Sequence, residues 1–470
     1  MGELTSLSAT EMAEGVRRKK FSATELTEAH LRRIARVNPR INAFVTVDEA
    51  GALDQAKRAE FSVMRGSWLG PLHGVPVTVK SSINVTGFRC ETGSRLRAGA
   101  TPDEDAALVT RLRAAGAIIL GNTNAPEFLM AYETDNLLSG RTNNPWDLER
   151  TPGGSSGGES AAIAARCSAG GVGSDGGGSI RVPAHFTGIC GLKPTPGRVP
   201  ASGHVPASQG PFALTGVVGP MARTVSDVRI LFEAMAGPDM GDPGSAPVPV
   251  RWPAEEELRK IRVGYFEDDG RTPVTVETRA AVRKAAEGLR VQGFRVEPFR
   301  PARLEEIRQV WWKLFGPGVQ VLLRPILEGH EAELSPFLKE MRELANREEP
   351  LTAESLLDTQ IKRDVLREKL LIEMEKFQIL LCPVCSVPAF RHREREWMIE
   401  GKRVEYLDAM SYTQWFNILG NPGMVVPVGR SPEGLPIAVQ VVGRPWEDEV
   451  AMALAEKVEL ACGDLREPVI

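Results

Sequence analysis

Polar and apolar residues alternate through Val75-Pro76-Val77-Thr78-Val79-Lys80, which predicts a strand with valines on one face and Thr78 and Lys80 on the other. Upstream, Ser8-x-x-Glu11 and Ser22-x-x-Glu25 are capping boxes and predict two helices, the second expected to end at Asn38-Pro39. A helix is predicted over 104–115, closed by Gly116, followed by a strand over 117–120. Further on, IRVGYF, a helix at about 276–292 and FRVEPF form a β-α-β-like unit; 303–378 reads as mainly helical. MVVPVG and IAVQVVG predict two late strands before a last helix near 447–461.

Residues 151–194 break this rhythm. Glycine and serine crowd two loops, with a small-residue helix (about 159–167) and a Val-Gly-Ser-Asp strand between them. A flexible linker has no use for such elements, so these glycines mark backbone that turns sharply or approaches another group closely. By contrast, 238–256 is a Pro- and Gly-rich surface connection.

Composition narrows the class. Hydrophobic and charged contents of 42% and 25% are those of a globular chain, and a formal net charge of −4 gives no electrostatic reason to expect a nucleic-acid or membrane-surface partner. No apolar run approaches the ~20 residues of a membrane span, so stable membrane insertion is not expected. The start carries no signal-peptide pattern, and Met1-Gly2 with Ser6 reads as a chance match to a myristoylation site. Six irregularly placed cysteines fit reduced thiols and a cytoplasmic protein. Cys382-x-x-Cys385 lies in an apolar segment without a second pair, which reads as a buried strand end; neither metal nor cofactor is expected.

Amide hydrolysis needs a nucleophile, a base and donors for an oxyanion. Ser179 follows Gly176, Gly177 and Gly178 after a strand, where successive N–H groups can form a nest for an anionic oxygen. GGGS alone also fits a phosphate-binding loop or a plain turn. None of the six histidines lies in a nucleophile–base motif; His73 and His185, near the loop in sequence, read as structural. Lys80, at the end of an apolar strand, can act as base if burial makes it neutral, and taken alone it equally fits a solvated strand end.

In order along the chain, GPLHGVPVTVK, PGGSSGG and SDGGGSIRVPAHFTGICGLKPT closely resemble the amidase signature family, with similarity from about residue 5 to 461. The resemblance implies one large α/β domain over 1–470, with a central mixed β-sheet flanked by helices. Its signature core would lie at about 70–230 and a more variable, substrate-covering helical region at about 300–380. It also implies a triad of Lys80, Ser155 and Ser179, with a cis peptide at Gly154-Ser155. In that scheme neutral Lys80 deprotonates Ser155, Ser155 deprotonates Ser179, and backbone N–H groups over 176–179 hold the oxyanion. Ser156 would support Lys80, while Asp175 and Arg181, at matching family positions, would either bind substrate or form an ion pair fixing the loop. Two departures stand out: Gly176 replaces a usually larger residue, and Ser81-Ser82 follows Lys80 where an acidic or amide residue is common.

SGRTNNPWDL and CSAGGVGSDGGGSIR resemble the fatty-acid amide hydrolase branch, which implies that Leu129 and Met130 line the acyl side of the pocket, although a Leu and a Met there equally fit plain core packing. Trp311-Trp312 and 321–327 fit an apolar channel or lid as well as plain helix packing. The tyrosine-rich segment of glutamine-hydrolysing amidotransferase subunits is missing. The expected activity is therefore a free-standing amidase acting on a small-molecule amide with an apolar acyl group. The alternatives are a non-catalytic binding protein on the same fold, or the glutamine-hydrolysing subunit of a tRNA-dependent amidotransferase. A homodimer is left open.

Overall fold

Thirteen strands carry the chain through the computed structural model, which describes residues 3–464 and 466–470; Met1-Gly2 lies outside them. They are β1 (Phe44–Val47), β2 (Pro76–Lys80), β3 (Ile118–Thr123), β4 (Gly170–Asp175), β5 (Cys190–Lys193), β6 (Val217–Ala222) and β7 (Arg262–Tyr265). There follow β8 (Arg295–Pro298), β9 (Ile379–Pro383), β10 (Glu396–Ile399), β11 (Lys402–Glu405), β12 (Gly423–Arg430) and β13 (Pro436–Val442). Eleven form one sheet in the order β1-β3-β2-β4-β6-β5-β12-β13-β9-β7-β8, and β10 and β11 make a separate hairpin. β2 runs parallel to β3 and β4, and β7 parallel to β8 and β9, whereas the central pairs are antiparallel. The molecule is one large α/β domain around a mixed sheet.

β2, β3 and β4 are buried along their whole length, as expected for parallel strands covered on both faces. The helices Gly157–Ala164 and Arg181–Thr187 pack on β2–β6, β12 and β13, and Val276–Val291 and Asp448–Cys462 pack on β12 and β13. The helices Leu304–Leu327, Pro336–Ala345 and Ala353–Lys376 pack mainly on one another and on Ser411–Ile418. Among the described residues, no helix is long and apolar enough to cross a membrane.

Both N-terminal capping boxes form, on the helices Ala9–Arg17 and Ala23–Ile41. The second helix does not stop at Asn38 but continues through Pro39. A proline this close to the end removes one N–H, while Asn42 N–H still reaches the Asn38 carbonyl (2.8 Å) and the Asn38 side chain accepts from Ala43 and Phe44. Asn42 then closes the helix in the left-handed region. Cys382 and Cys385 are fully buried free thiols at and just beyond the end of β9.

Candidate active site

Because β2 and β4 are parallel neighbours, with Val79 paired to Val172, their carboxyl ends emerge at the same sheet edge. Crevices beyond such ends are where open α/β sheets hold their ligands. Lys80 is the last residue of β2; Ser174 and Asp175 end β4. The Lys80 side-chain nitrogen, wholly buried, lies 2.6 Å from Ser155 Oγ and 3.0 Å from both Ser156 Oγ and Ser174 Oγ. Burial pushes its pKa down to about 7, against an upward pull from Asp175 and Glu159. A neutral amine has two N–H donors and one lone pair, which three hydroxyl partners satisfy. The Ser156 hydroxyl donates to the Ser174 carbonyl (3.2 Å), leaving its oxygen to accept from Lys80. The peptide between Gly154 and Ser155 is cis.

The loop after β4 turns on Asp175. Its carboxylate accepts from the amides of Gly178 (2.7 Å), Ile180 (3.1 Å) and Arg181 (3.3 Å), and two Arg181 guanidinium nitrogens meet it at 3.0 Å. Arg181 also reaches Gln440 (3.1 Å) and Asn417 (2.5 Å), and the pair is fully buried. Burial alone would raise the Asp175 pKa; the Arg181 charge, with Lys193 and Asn417, holds it well below the carboxylate range. Arg181 is thus engaged inside the protein. Arg181→Met leaves a buried unpaired carboxylate and should cost about 3–5 kcal/mol of stability, read from urea unfolding; a loss below about 1 kcal/mol would mean that the pair does not hold the loop.

Of the three glycines nominated as oxyanion donors, Gly178 differs from its neighbours. Its N–H is engaged by Asp175, so its contribution is its backbone shape, φ +130°. The amides of Gly176, Gly177 and Ser179 have no acceptor among the described residues. Gly176 and Ser179 are partly exposed, and both line a narrow cavity of about 90 Å³ together with Ser155, Ser174 and Asp175. Ser155 and Ser179 share this wall, but no hydrogen bond joins their side chains; such links often close only around substrate. A roomier hollow, about 520 Å³ between 248–261 and 444–450, contains none of these residues. Convergent chemistry rather than volume marks the site.

Leu129 and Met130 stand on the cavity wall. Beside them stand Phe128, Phe212, Phe315 and Val319, which sequence reasoning missed, and Leu322, which lies in the 321–327 stretch it nominated for a channel or lid. A signal for three of these was present: Phe315, Val319 and Leu322 recur at i, i+4 and i+7 on the helix Leu304–Leu327 and so share one face. Trp311 on that helix is buried against the glycine loop, whereas Trp312 donates away from it to Glu348 (2.9 Å). His73 and His185 are held by backbone groups at Ala59 and at Val387 and Ala438. His204, also missed, is the histidine on the cavity wall; burial pushes its pKa down to about 4, and its Nδ1 lies 2.8 Å from the Pro206 carbonyl.

A buried lysine held by serines, beside a glycine loop ending in an accessible serine, is machinery for acyl transfer. The Amidase family model matches residues 25–452, and the chain belongs to that family, the amidase signature enzymes. It is a hydrolase of amide C–N bonds. An indoleacetamide hydrolase of Bradyrhizobium diazoefficiens is 33% identical, covering 99% of this chain and 88% of the relative. One subunit of a glutamyl-tRNA(Gln) amidotransferase from Salinispora arenicola is 35% identical over the full length of both. The solved structure of a fatty acid amide hydrolase superposes with a TM-score of 0.89 at 26% identity, covering 99% of this chain and 87% of the other.

Proposed function

We propose that this chain is a free-standing amidase that hydrolyses amides of apolar carboxylic acids through an acyl-enzyme on Ser179. Neutral Lys80 removes the Ser155 proton, Ser155 removes that of Ser179, and Ser179 Oγ attacks the amide carbon. The amides of Gly176, Gly177 and Ser179 receive the oxyanion. As the C–N bond breaks, the proton returns through Ser155 to the leaving nitrogen, because an amide anion leaves poorly. Water then repeats the sequence on the ester and frees the acid. Ser156 and Ser174 hold the lysine, and the 304–376 helices cover the acyl group.

One observation carries the choice of substrate. Beyond Ser179 the cavity is walled by Phe128, Leu129, Met130, Phe212, Phe315, Val319 and Leu322, and its one charged side chain among the described residues, Asp175, is locked to Arg181. A glutamine substrate brings an ammonium and a carboxylate, and burying either without a partner is costly. An aromatic acyl group such as that of indoleacetamide suits these walls. The glutamine-hydrolysing reading is supported by the 35% full-length identity to one chain of an amidotransferase.

A series of primary amides of graded acyl length, run beside glutamine, separates the two. Each buried methylene is worth ~0.8 kcal/mol, so kcat/KM should rise about fourfold per carbon until the cavity is filled. A flat series, or turnover of glutamine alone, would overturn the proposal.

A further inference from the structure

We infer that Trp311 is a positioning residue through which the apolar wall of the pocket sets the oxyanion donors, an inference that rests on the amidase reading above. In a trans peptide the C=O of one residue and the N–H of the next point in opposite directions, so anchoring a carbonyl aims the following amide. Every peptide in the loop is anchored in this way. The Asp175 carbonyl accepts from Asn417 Nδ2 (3.1 Å), the Gly176 carbonyl from Trp311 Nε1 (2.9 Å) and the Gly178 carbonyl from Val182 N–H (2.7 Å). The amides that follow them are those of Gly176, Gly177 and Ser179, the three without a protein acceptor among the described residues. In the remaining peptide, the Gly177 carbonyl accepts from the Tyr132 hydroxyl (2.8 Å) and Thr413 Oγ1 (2.7 Å), and the Gly178 amide behind it goes to Asp175. Burial raises the Tyr132 pKa, which keeps that phenol a donor.

Three consecutive glycines have little conformational preference of their own, so their order must come from such anchors. Trp311 also supplies bulk that the glycines lack: a Cβ on Gly177 would lie 2.6 Å from the indole, and one on Gly176 would lie 3.1 Å from Phe315. Asn417 and Val182 sit on short helices packed into the core, but Trp311 belongs to the helix that covers the pocket. Its ring stacks on Phe315 at 4.8 Å between centroids, and Phe315 continues into Val319 and Leu322 along the cavity wall. An acyl group that fills the cavity therefore presses on Phe315, and through it on the indole that aims the Gly177 N–H. Acyl binding energy is then expressed in the transition state, raising kcat rather than only lowering KM.

The test replaces Trp311 by β-(3-benzothienyl)alanine, which keeps the ring shape and deletes only the N–H, with Trp311→Phe as a second variant. Both are run on the graded amides, with kcat and KM resolved and the acid limb of the pH profile recorded. For long acyl chains kcat should fall about tenfold, less than the roughly hundred- to thousandfold for losing an oxyanion donor outright. KM should stay within about twofold and the acid limb should not move, because Lys80 is untouched. The rise of kcat with acyl length should flatten in both variants. Unchanged kcat, or a loss carried by KM alone, overturns the inference. If wild type itself shows no acyl-length preference, the substrate reading falls and this inference with it. If wild type shows the preference and the variants keep it in kcat, the inference alone falls.

Discussion

Ser179→Ala is expected to abolish labelling by a fluorophosphonate and to lower kcat/KM for an apolar acyl amide by on the order of 10⁶-fold. Ser179 is the partly exposed serine that follows the glycine loop, and the amides of Gly176, Gly177 and its own nitrogen, without an acceptor among the described residues, can receive an anionic oxygen. The other serines nearby are differently placed. Ser156 and Ser174 are buried and bonded to Lys80, and Ser155 is buried at 2.6 Å from it. A phosphonylated wild-type peptide should carry its adduct at Ser179. Since Ser179→Ala removes no buried contact to the lysine, its fold and melting behaviour should match wild type. An adduct mapped to Ser155 or Ser156 would overturn the assignment.

How much of this site was legible in the sequence depended on how locally each part is built. Alternation through 75–80 is a property of six adjacent residues, and it placed Lys80 at a strand end correctly. Asn38-Pro39 misled because the rule against helix before proline weighs backbone clash alone, while the Asn38 side chain gathers the freed amides and lets the turn finish. The pocket wall was harder, because Phe128, His204, Phe212 and Phe315 converge from segments far apart in sequence. Phe128 and Leu129 also have positive φ (46° and 66°), which nothing in their side chains announces. Gly178 was misassigned as a donor for a similar reason: GGGS shows that three amides are unencumbered by side chains, not that a carboxylate three residues back has taken one. The opposing anchors on Trp311, Tyr132, Thr413 and Asn417 come from distant places in the chain and become visible only once folded.

Lys80 carries the second large effect. Its amine is neutral only above its lowered pKa, about 7, so kcat/KM should be level on the alkaline side and fall tenfold per pH unit below it. The direction follows from the chemistry: the protonated ammonium has three donors and no lone pair, and it cannot take the Ser155 proton. The groups that bear on it are Asp175, Glu159 and His204. Asp175 stays ionised throughout this range because Arg181 holds its pKa low, and His204 stays neutral because burial has pushed its pKa to about 4. Glu159, buried and bonded to Thr78 and Thr123, has its pKa raised by burial, and where ionised it pulls that of Lys80 upward. Glu159→Gln should therefore move the acid limb to lower pH while leaving the alkaline plateau in place. Lys80→Ala should lower kcat/KM by roughly 10²–10⁴-fold, with Ser155→Ala losing a similar amount because it breaks the same relay. Ser156→Ala, which removes one of three partners of the amine, should lose less. The decisive measurement is the pH profile of what activity remains. If Lys80→Ala keeps near-wild-type turnover with an acid limb still at about pH 7, another group is the base and the relay through Ser155 is wrong.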